Sequence, residues 1–336
     1  MIASLIRAFN VSVGLTPSSY VSPNSSVGMF TDGAIDHLNR FNLTITFNGN
    51  IFIAKGSTLD FSLLTTFSGN LMEIVYMEYN ETFYIHLSSA SGSRIISIPI
   101  INDSIDAVNI TSKLMGASGA VSLCVYNDLL FYLSYNGILN VTNDGGTTTY
   151  SKPSPWTGVN YRRVMIDSLG NLFIGGDSGT LYKMDINSYT FGPISQTYTR
   201  LITGTAIGID NMVLLPENNL WYFANKVTSD FINFTANTSF ESSSYITLLK
   251  YNDLYIVTLA AEKIFICKDP TGPWSLINLA EIPDFRPCAS FSSYSVIQDK
   301  LFIYGTNQAY DINYGKIISL NLSEVSDFLG TSLYVG

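Results

Sequence analysis

Residues Ile246–Ala260 read ITLLKYNDLYIVTLA: an apolar run, the pair Asn252-Asp253, and a second run in which apolar and polar residues alternate. Asn and Asp tolerate the positive φ that a tight two-residue turn demands. β-branched and aromatic side chains on both sides fit a pleated, half-buried surface. The stretch therefore predicts an antiparallel hairpin.

The same arrangement recurs along the chain. It appears as ITFNGNIFIA from Ile45, VYMEYNETFYIHL from Val75, SLCVYNDLLFYLS from Ser122, RVMIDSLGNLFIGG from Arg163, NMVLLPENNLWYFAN from Asn211 and YSVIQDKLFIYGT from Tyr294. A third strand follows most hairpins, as in GTLYKMDI from Gly179, EKIFICKD from Glu262 and GKIISLNL from Gly315. A shorter fourth comes next, as in YTFGPI from Tyr189 and PWSLINL from Pro273. The second strands begin near Ile51, Phe83, Leu129, Leu172, Leu220, Leu254 and Leu301, a mean spacing of about 42 residues that falls within the range of four-stranded propeller blades. An all-β, seven-bladed β-propeller is the expected fold, because one such unit cannot bury its faces alone and a ring of them can. Six blades remain the alternative if the first copy is the closing strand, and a pair of β-sandwiches is the other rival. No segment sustains a 3.6-residue period, and SEVSDFLG from Ser323 offers a single helical turn.

Residues 1–36 do not fit the repeat. LTPSSYVSPNSSVG from Leu15 has the Ser- and Pro-rich composition of an arm or linker, so the propeller is assigned to residues 37–336. Three roles stay open for the arm: packing on the ring, supplying a closing strand, or reaching a neighbouring subunit.

Thr142-Asn143-Asp144-Gly145-Gly146-Thr147-Thr148, followed by Thr149 and Tyr150, resembles the Asp-box of sialidase-like, BNR-repeat propellers. In that family the box lies between the third and fourth strands of a blade, and its Asp accepts backbone hydrogens. The resemblance implies this structural role for Asp144 with Gly146. CKDPTGPW keeps Asp269, Gly272 and Trp274, and TSDFINFT keeps Ser229 and Phe234 around Asp230 without the Gly. Catalytic activity is not carried over. The chain has only Arg7, Arg40, Arg94, Arg162, Arg163, Arg200 and Arg286 from which to build a carboxylate clamp, and SRIISIP from Ser93 is a distant echo of the family's Phe-Arg-Ile-Pro. Arg200 and Arg286 clustered with a third Arg and a Glu in a central funnel would favour a glycosidase or lectin; arginines scattered at the rim would not.

A net charge of −9 with 13% charged residues argues against nucleic acid as a partner, since that needs clustered cations to displace counterions. No CxxC or Cys/His cluster is present and His37 and His86 stand alone, a surface and a strand residue respectively, so neither metal nor cofactor is expected. Asp144 lacks the alternating oxygen ligands of a calcium loop, and IGGDSGT from Ile174 lacks the Lys of a phosphate loop. Cys124, Cys267 and Cys288 allow at most one internal disulfide; Cys267 with Cys288 and three thiols are the alternatives. No apolar run reaches the ~18 residues of a membrane helix, and Arg7 breaks the apolar start.

The pattern N-x-S/T occurs at Asn10, Asn24, Asn42, Asn80, Asn102, Asn109, Asn140, Asn233, Asn237 and Asn321, which makes each a glycosylation candidate. A surface rich in hydroxyls and amides depends little on pH or salt. The composition resembles that of virion or surface proteins of thermoacidophilic archaea and their viruses. The expectation is an exposed, non-enzymatic structural or recognition module, foremost a virion spike, turret or tail part. Its partners would be assembly subunits reached through the arm, and a host glycan or surface receptor. The alternatives are a secreted lectin or sialidase-like glycosidase, and a scaffold that bridges subunits.

Overall fold

The computed structural model describes residues 18–21, 27–90, 92–114, 120–134, 139–142, 150–152, 161–166, 172–176, 181–185, 190–193, 206–209, 212–217, 220–224, 234–237, 246–259, 263–268, 275–279, 282–288, 294–307, 309 and 311–324. Ser18–Val21 forms β1. The first sheet runs β2 (Phe30–Ile35), β3 (Phe41–Thr46), β4 (Asn50–Lys55), β5 (Ser62–Thr66), and the second β6 (Asn70–Met77), β7 (Thr82–Ser89), β8 (Gly92–Pro99), β9 (Thr111–Leu114). The third is β10 (Ala120–Tyr126), β11 (Leu129–Ser134), β12 (Leu139–Thr142), β13 (Tyr150–Lys152), and the fourth β14 (Tyr161–Ile166), β15 (Leu172–Gly176), β16 (Leu181–Asp185), β17 (Thr190–Pro193). The fifth is β18 (Ala206–Ile209), β19 (Met212–Glu217), β20 (Leu220–Ala224), β21 (Phe234–Asn237), and the sixth β22 (Ile246–Tyr251), β23 (Leu254–Leu259), β24 (Lys263–Cys267), β25 (Ser275–Asn278). In the last, β26 (Arg286–Pro287) and β27 (Tyr294–Ile297) both pair with β28 (Lys300–Thr306), which pairs with β29 (Lys316–Asn321), and β1 adds the outer strand.

The first strands touch in the order β2, β6, β10, β14, β18, β22, β27, and β27 touches β2, so the described sheets close into the ring of a β-propeller. Core clusters lie between sheets: Leu43, Ile45 and Ile51 against Phe83, Ile85 and Ile96; Tyr84 and Ile95 against Leu123 and Tyr132; Leu254 and Ile264 against Leu301 and Ile318. Both faces of a sheet are therefore buried. At the junction of last and first sheets the fully buried Tyr304 lies over Gly33, where a Cβ would come within 2.1 Å of its hydroxyl oxygen. That oxygen is 2.8 Å from Ser295 Oγ.

A second device joins neighbouring sheets. The inner strands are bulged between Phe30 and Asp32, Leu71 and Glu73, Ala120 and Ser122, Tyr161 and Arg163, and Ile207 and Ile209. A bulge re-aims the side chain that follows it. Asp32 Oδ2 accepts from Ile74 N–H at 2.8 Å, Glu73 Oε2 from Leu123 N–H at 2.6 Å, and Ser122 Oγ donates to Val164 O at 3.5 Å. The residue after each of these three bulges thus reaches the backbone of the next inner strand.

Two sequence copies prove to be one strand out of phase. ITFNGNIFIA is β3 and β4, and NMVLLPENNLWYFAN is β19 and β20, the second and third strands of their sheets. The boundary drawn at residue 36 therefore cuts off β2, and residues 1–36 supply both β2 and β1. Of the three roles open to the arm, β1 takes that of closing strand, pairing Ser18↔Ser319 through Val21↔Lys316.

Candidate interaction surface

The β2–β3 turn is organised by Asp36, whose side chain is fully buried. Its Oδ1 accepts from Arg40 N–H at 2.8 Å and Phe41 N–H at 2.6 Å; its Oδ2 accepts from Leu38 N–H at 3.2 Å and Arg40 Nε at 2.9 Å. An Asp at this point reproduces the backbone acceptors that a longer turn lacks. The Arg40 guanidinium then crosses to the second sheet. Its Nη2 donates to Glu81 Oε1 at 2.9 Å in the β6–β7 turn, and its Nη1 donates to Asp103 in the connector after β8. The hydrogen bond to Asp36, followed by those to Asp103 and Glu81, holds the Arg40 pKa above its ordinary value. Ile100 N–H donates to Glu81 O at 2.8 Å, which ties the connector to the turn.

Each pinned segment presents an apolar tip to solvent: Leu38 (56% exposed), Tyr79 (68%), Ile101 (45%) and Val108 (79%). Val108 sits on a short 3-10 turn, Ala107–Asn109, capped by Asp106 Oδ1 accepting its N–H at 3.0 Å. His37 stacks on Tyr76 with ring centroids 5.9 Å apart, and its Nδ1 is 3.0 Å from the Tyr76 hydroxyl. Burial, with the charges of Asp36 and Glu81 adding to it, pushes the Tyr76 hydroxyl up to about 12. Nothing in the sequence marked this face, because Arg40, Glu81 and Asp103 are far apart in the chain.

The Asp-box candidates Asp144, Gly146, Asp230, Asp269, Gly272 and Trp274 lie outside the described residues; they fall between β12 and β13, β20 and β21, and β24 and β25, each time the third and fourth strands of a sheet. The glycosylation candidates divide sharply. Asn42 is fully buried on β3 and Asn140 is 7% exposed on β12, so neither amide can carry a glycan in the folded chain. Both strands are covered on two faces, which is why an acceptor pattern on them looks exposed only in sequence. Asn80 Nδ2 donates to the Tyr84 hydroxyl at 2.7 Å, and Asn321 uses its amide on Glu324 and Ser323 at the start of a helical turn. Asn102 and Asn109 are exposed. Asn10, Asn24, Asn233 and the side chain of Asn237 lie outside the described residues. Arg286 is exposed on β26, and Arg200 lies outside the described residues.

All three cysteines are thiols, with Cys267 and Cys288 buried. Among the described residues, no group of three or more His, Cys, Asp or Glu is placed to hold a metal ion, and no helix is long and apolar enough to cross a membrane.

His86 lies on β7, 2% exposed, with Nε2 3.4 Å from Ser93 Oγ and Nδ1 without a hydrogen-bond partner. Burial lowers its pKa from the ordinary 6.5 to about 4. Between these values the unfolded chain holds one more proton than the folded one, so stability is complete above pH 6.5 and lost as pH falls toward 4. The expected loss is about 3 kcal/mol. Urea unfolding at pH 7 and pH 4 (about these values) should show this difference relative to His86→Phe, and equal pH slopes for the two proteins would count against it.

No family model matches the chain, and no curated protein sequence does. Solved structures do. YCF48 bound to D1 peptide superposes with a TM-score of 0.69 at 10% identity, covering 96% of this chain and 99% of that one. Virginiamycin B lyase from Staphylococcus aureus gives 0.67 at 12% identity, covering 92% and 99%. The WD40 propeller domain of Doa1 gives 0.65 at 12%, covering 90% and 97%. At such identities the likeness defines the fold, a β-propeller. Within that fold the similar structures include a lyase and a peptide complex.

Proposed function

We propose that the protein is a non-enzymatic recognition module that docks a partner protein on the face pinned by Arg40, and that it works exposed, as a component of a virion or surface assembly. The observation that carries the docking is the set of apolar tips Leu38, Tyr79, Ile101 and Val108, the first three in segments held by one guanidinium and the last on a turn capped by Asp106. Large side chains on a rigid frame lose little entropy when a partner arrives, which is what a binding hot spot needs. Arg40 is the only Lys or Arg in residues 36–41, 78–81 and 100–110, and its charge is taken up by three carboxylates. The charges facing solvent are acidic, with Glu78 and Asp103 side chains 75% and 79% exposed. Charge complementarity favours a basic segment bearing apolar side chains. The peptide bound to YCF48 supports this as an analogy of fold. The exposed setting is supported by composition, sparse in charge and rich in hydroxyls and amides.

A short peptide alternating Lys and Leu is the probe, read by fluorescence anisotropy. It should bind, its Glu-for-Lys counterpart should not, and Tyr79→Ser and Val108→Ser should each weaken binding about tenfold. Both substitutions leave every charge in place, so equal affinity for wild type and the double variant would refute the docking face. Glycans on Asn102 or Asn109 would stand on the same face. Docking therefore also requires an intact mass without sugar there.

A further inference from the structure

The geometry points to a second binding site, for a small organic carboxylate, at the opposite end of the first two sheets. The β5–β6 connector and the β7–β8 turn meet there, at the other end of the strands from the Arg40 turns. On β8 the alternate residues Ile98 and Ile96 belong to the core between these sheets, and Arg94 is the next residue of that row. Where the core runs out, the row ends in a guanidinium. Around it opens a cleft of about 510 Å³ lined by Phe67, Ser68, Leu87, Ser89, Arg94 and Ser112, among others. This volume lies in the range that holds small ligands.

Arg94 carries the only formal charge in that lining. It is half-buried, and among the described residues its one hydrogen bond is from Nη1 to Ser112 Oγ at 3.3 Å. Arg40, by contrast, holds three carboxylates. A guanidinium removed from part of its water and left without a carboxylate attracts one, and its planar fork of donors fits a carboxylate through two parallel hydrogen bonds. The Ser68 and Ser112 hydroxyls can donate to the same oxygens, while Phe67 and Leu87 offer an apolar wall for the rest of the ligand. A phosphate, with more charge and more acceptors, would have a single cation to meet it.

Benzoate is the probe, with benzamide as its uncharged counterpart and inorganic phosphate as competitor, read by ligand-observed NMR on the full chain. Benzoate should bind in the millimolar range expected of one charge-assisted contact, and Arg94→Gln should weaken it about tenfold or more. Benzamide should bind wild type no better than benzoate binds that variant, and phosphate should not compete. Ser68→Trp, at an exposed position, should block the cleft with Arg94 intact, which covers the case that Arg94→Gln folds poorly. No benzoate binding, binding indifferent to both variants, equal affinity for benzamide, or displacement by phosphate would each overturn the assignment.

Discussion

A chain lacking residues 1–26 is expected to unfold about 6 °C below the intact protein and to self-associate. The truncation removes β1, among the described residues the only strand that covers the outer edge of β29. Its four-residue pairing with β29 is lost, and so is Tyr20, whose ring meets Phe61 at 5.4 Å and Phe30 at 6.1 Å edge-on and whose hydroxyl donates to Phe61 O at 3.2 Å. Tyr20 thus clips the last sheet to the first. Its half-buried ring is worth about 2 kcal/mol, and the lost ladder a further ~2 kcal/mol. A chain of this size shifts its unfolding midpoint by roughly 1.5 °C per kcal/mol, which gives the figure above. Tyr20→Ala alone should produce about half of it. Scanning calorimetry with light scattering reads both effects; coincident midpoints for the intact and truncated chains would mean that β1 does not close the ring.

The repeat was legible because turn chemistry and strand composition agree locally. Asn127 and Asn252, at the tips of two hairpin copies, have φ of 44° and 51°, the conformation for which Asn is suited. The phase of the first copy was lost for a physical reason. The β2–β3 turn is not a two-residue Asn or Gly turn but a longer one built on Asp36, and Asp32-Gly33 interrupts the apolar run of β2. Buried polar residues escaped as well. Asn42, Thr44 and Thr46 alternate with Leu43 and Ile45 as though one face were wet, yet all are fully buried because a neighbouring sheet covers that face. Asp32 and Glu73 look like surface carboxylates in sequence; their roles depend on bulges that set them against backbone 42 and 50 residues away. The Arg40 face and the Arg94 cleft depend on pairings between sheets, which no local pattern encodes.

Asp36→Ala is expected to destabilise the protein by about 3 kcal/mol, because three backbone N–H groups of the turn lose their buried acceptor. The carboxylate is fully buried and accepts four hydrogen bonds, three of them from backbone N–H groups of its own turn. Each N–H left without an acceptor adds its own desolvation penalty, softened where water can enter. Asp36→Asn separates the contributions. Its single amide oxygen can keep the Oδ1 pair, Arg40 N–H and Phe41 N–H, while its amide nitrogen faces Leu38 N–H and Arg40 Nε with a donor. About half of the loss should therefore remain in this variant. Denaturant unfolding measures both, and a loss below about 1 kcal/mol for Asp36→Ala would show that water replaces the carboxylate in full. The same substitution tests recognition independently of stability. Arg40 would lose the group that aims it, and Glu81 and Asp103 would then face solvent without a fixed cation. At a temperature where the variant is still folded, the basic probe peptide should bind it faster through the bared carboxylates but release it sooner, because the apolar tips are no longer held in one arrangement.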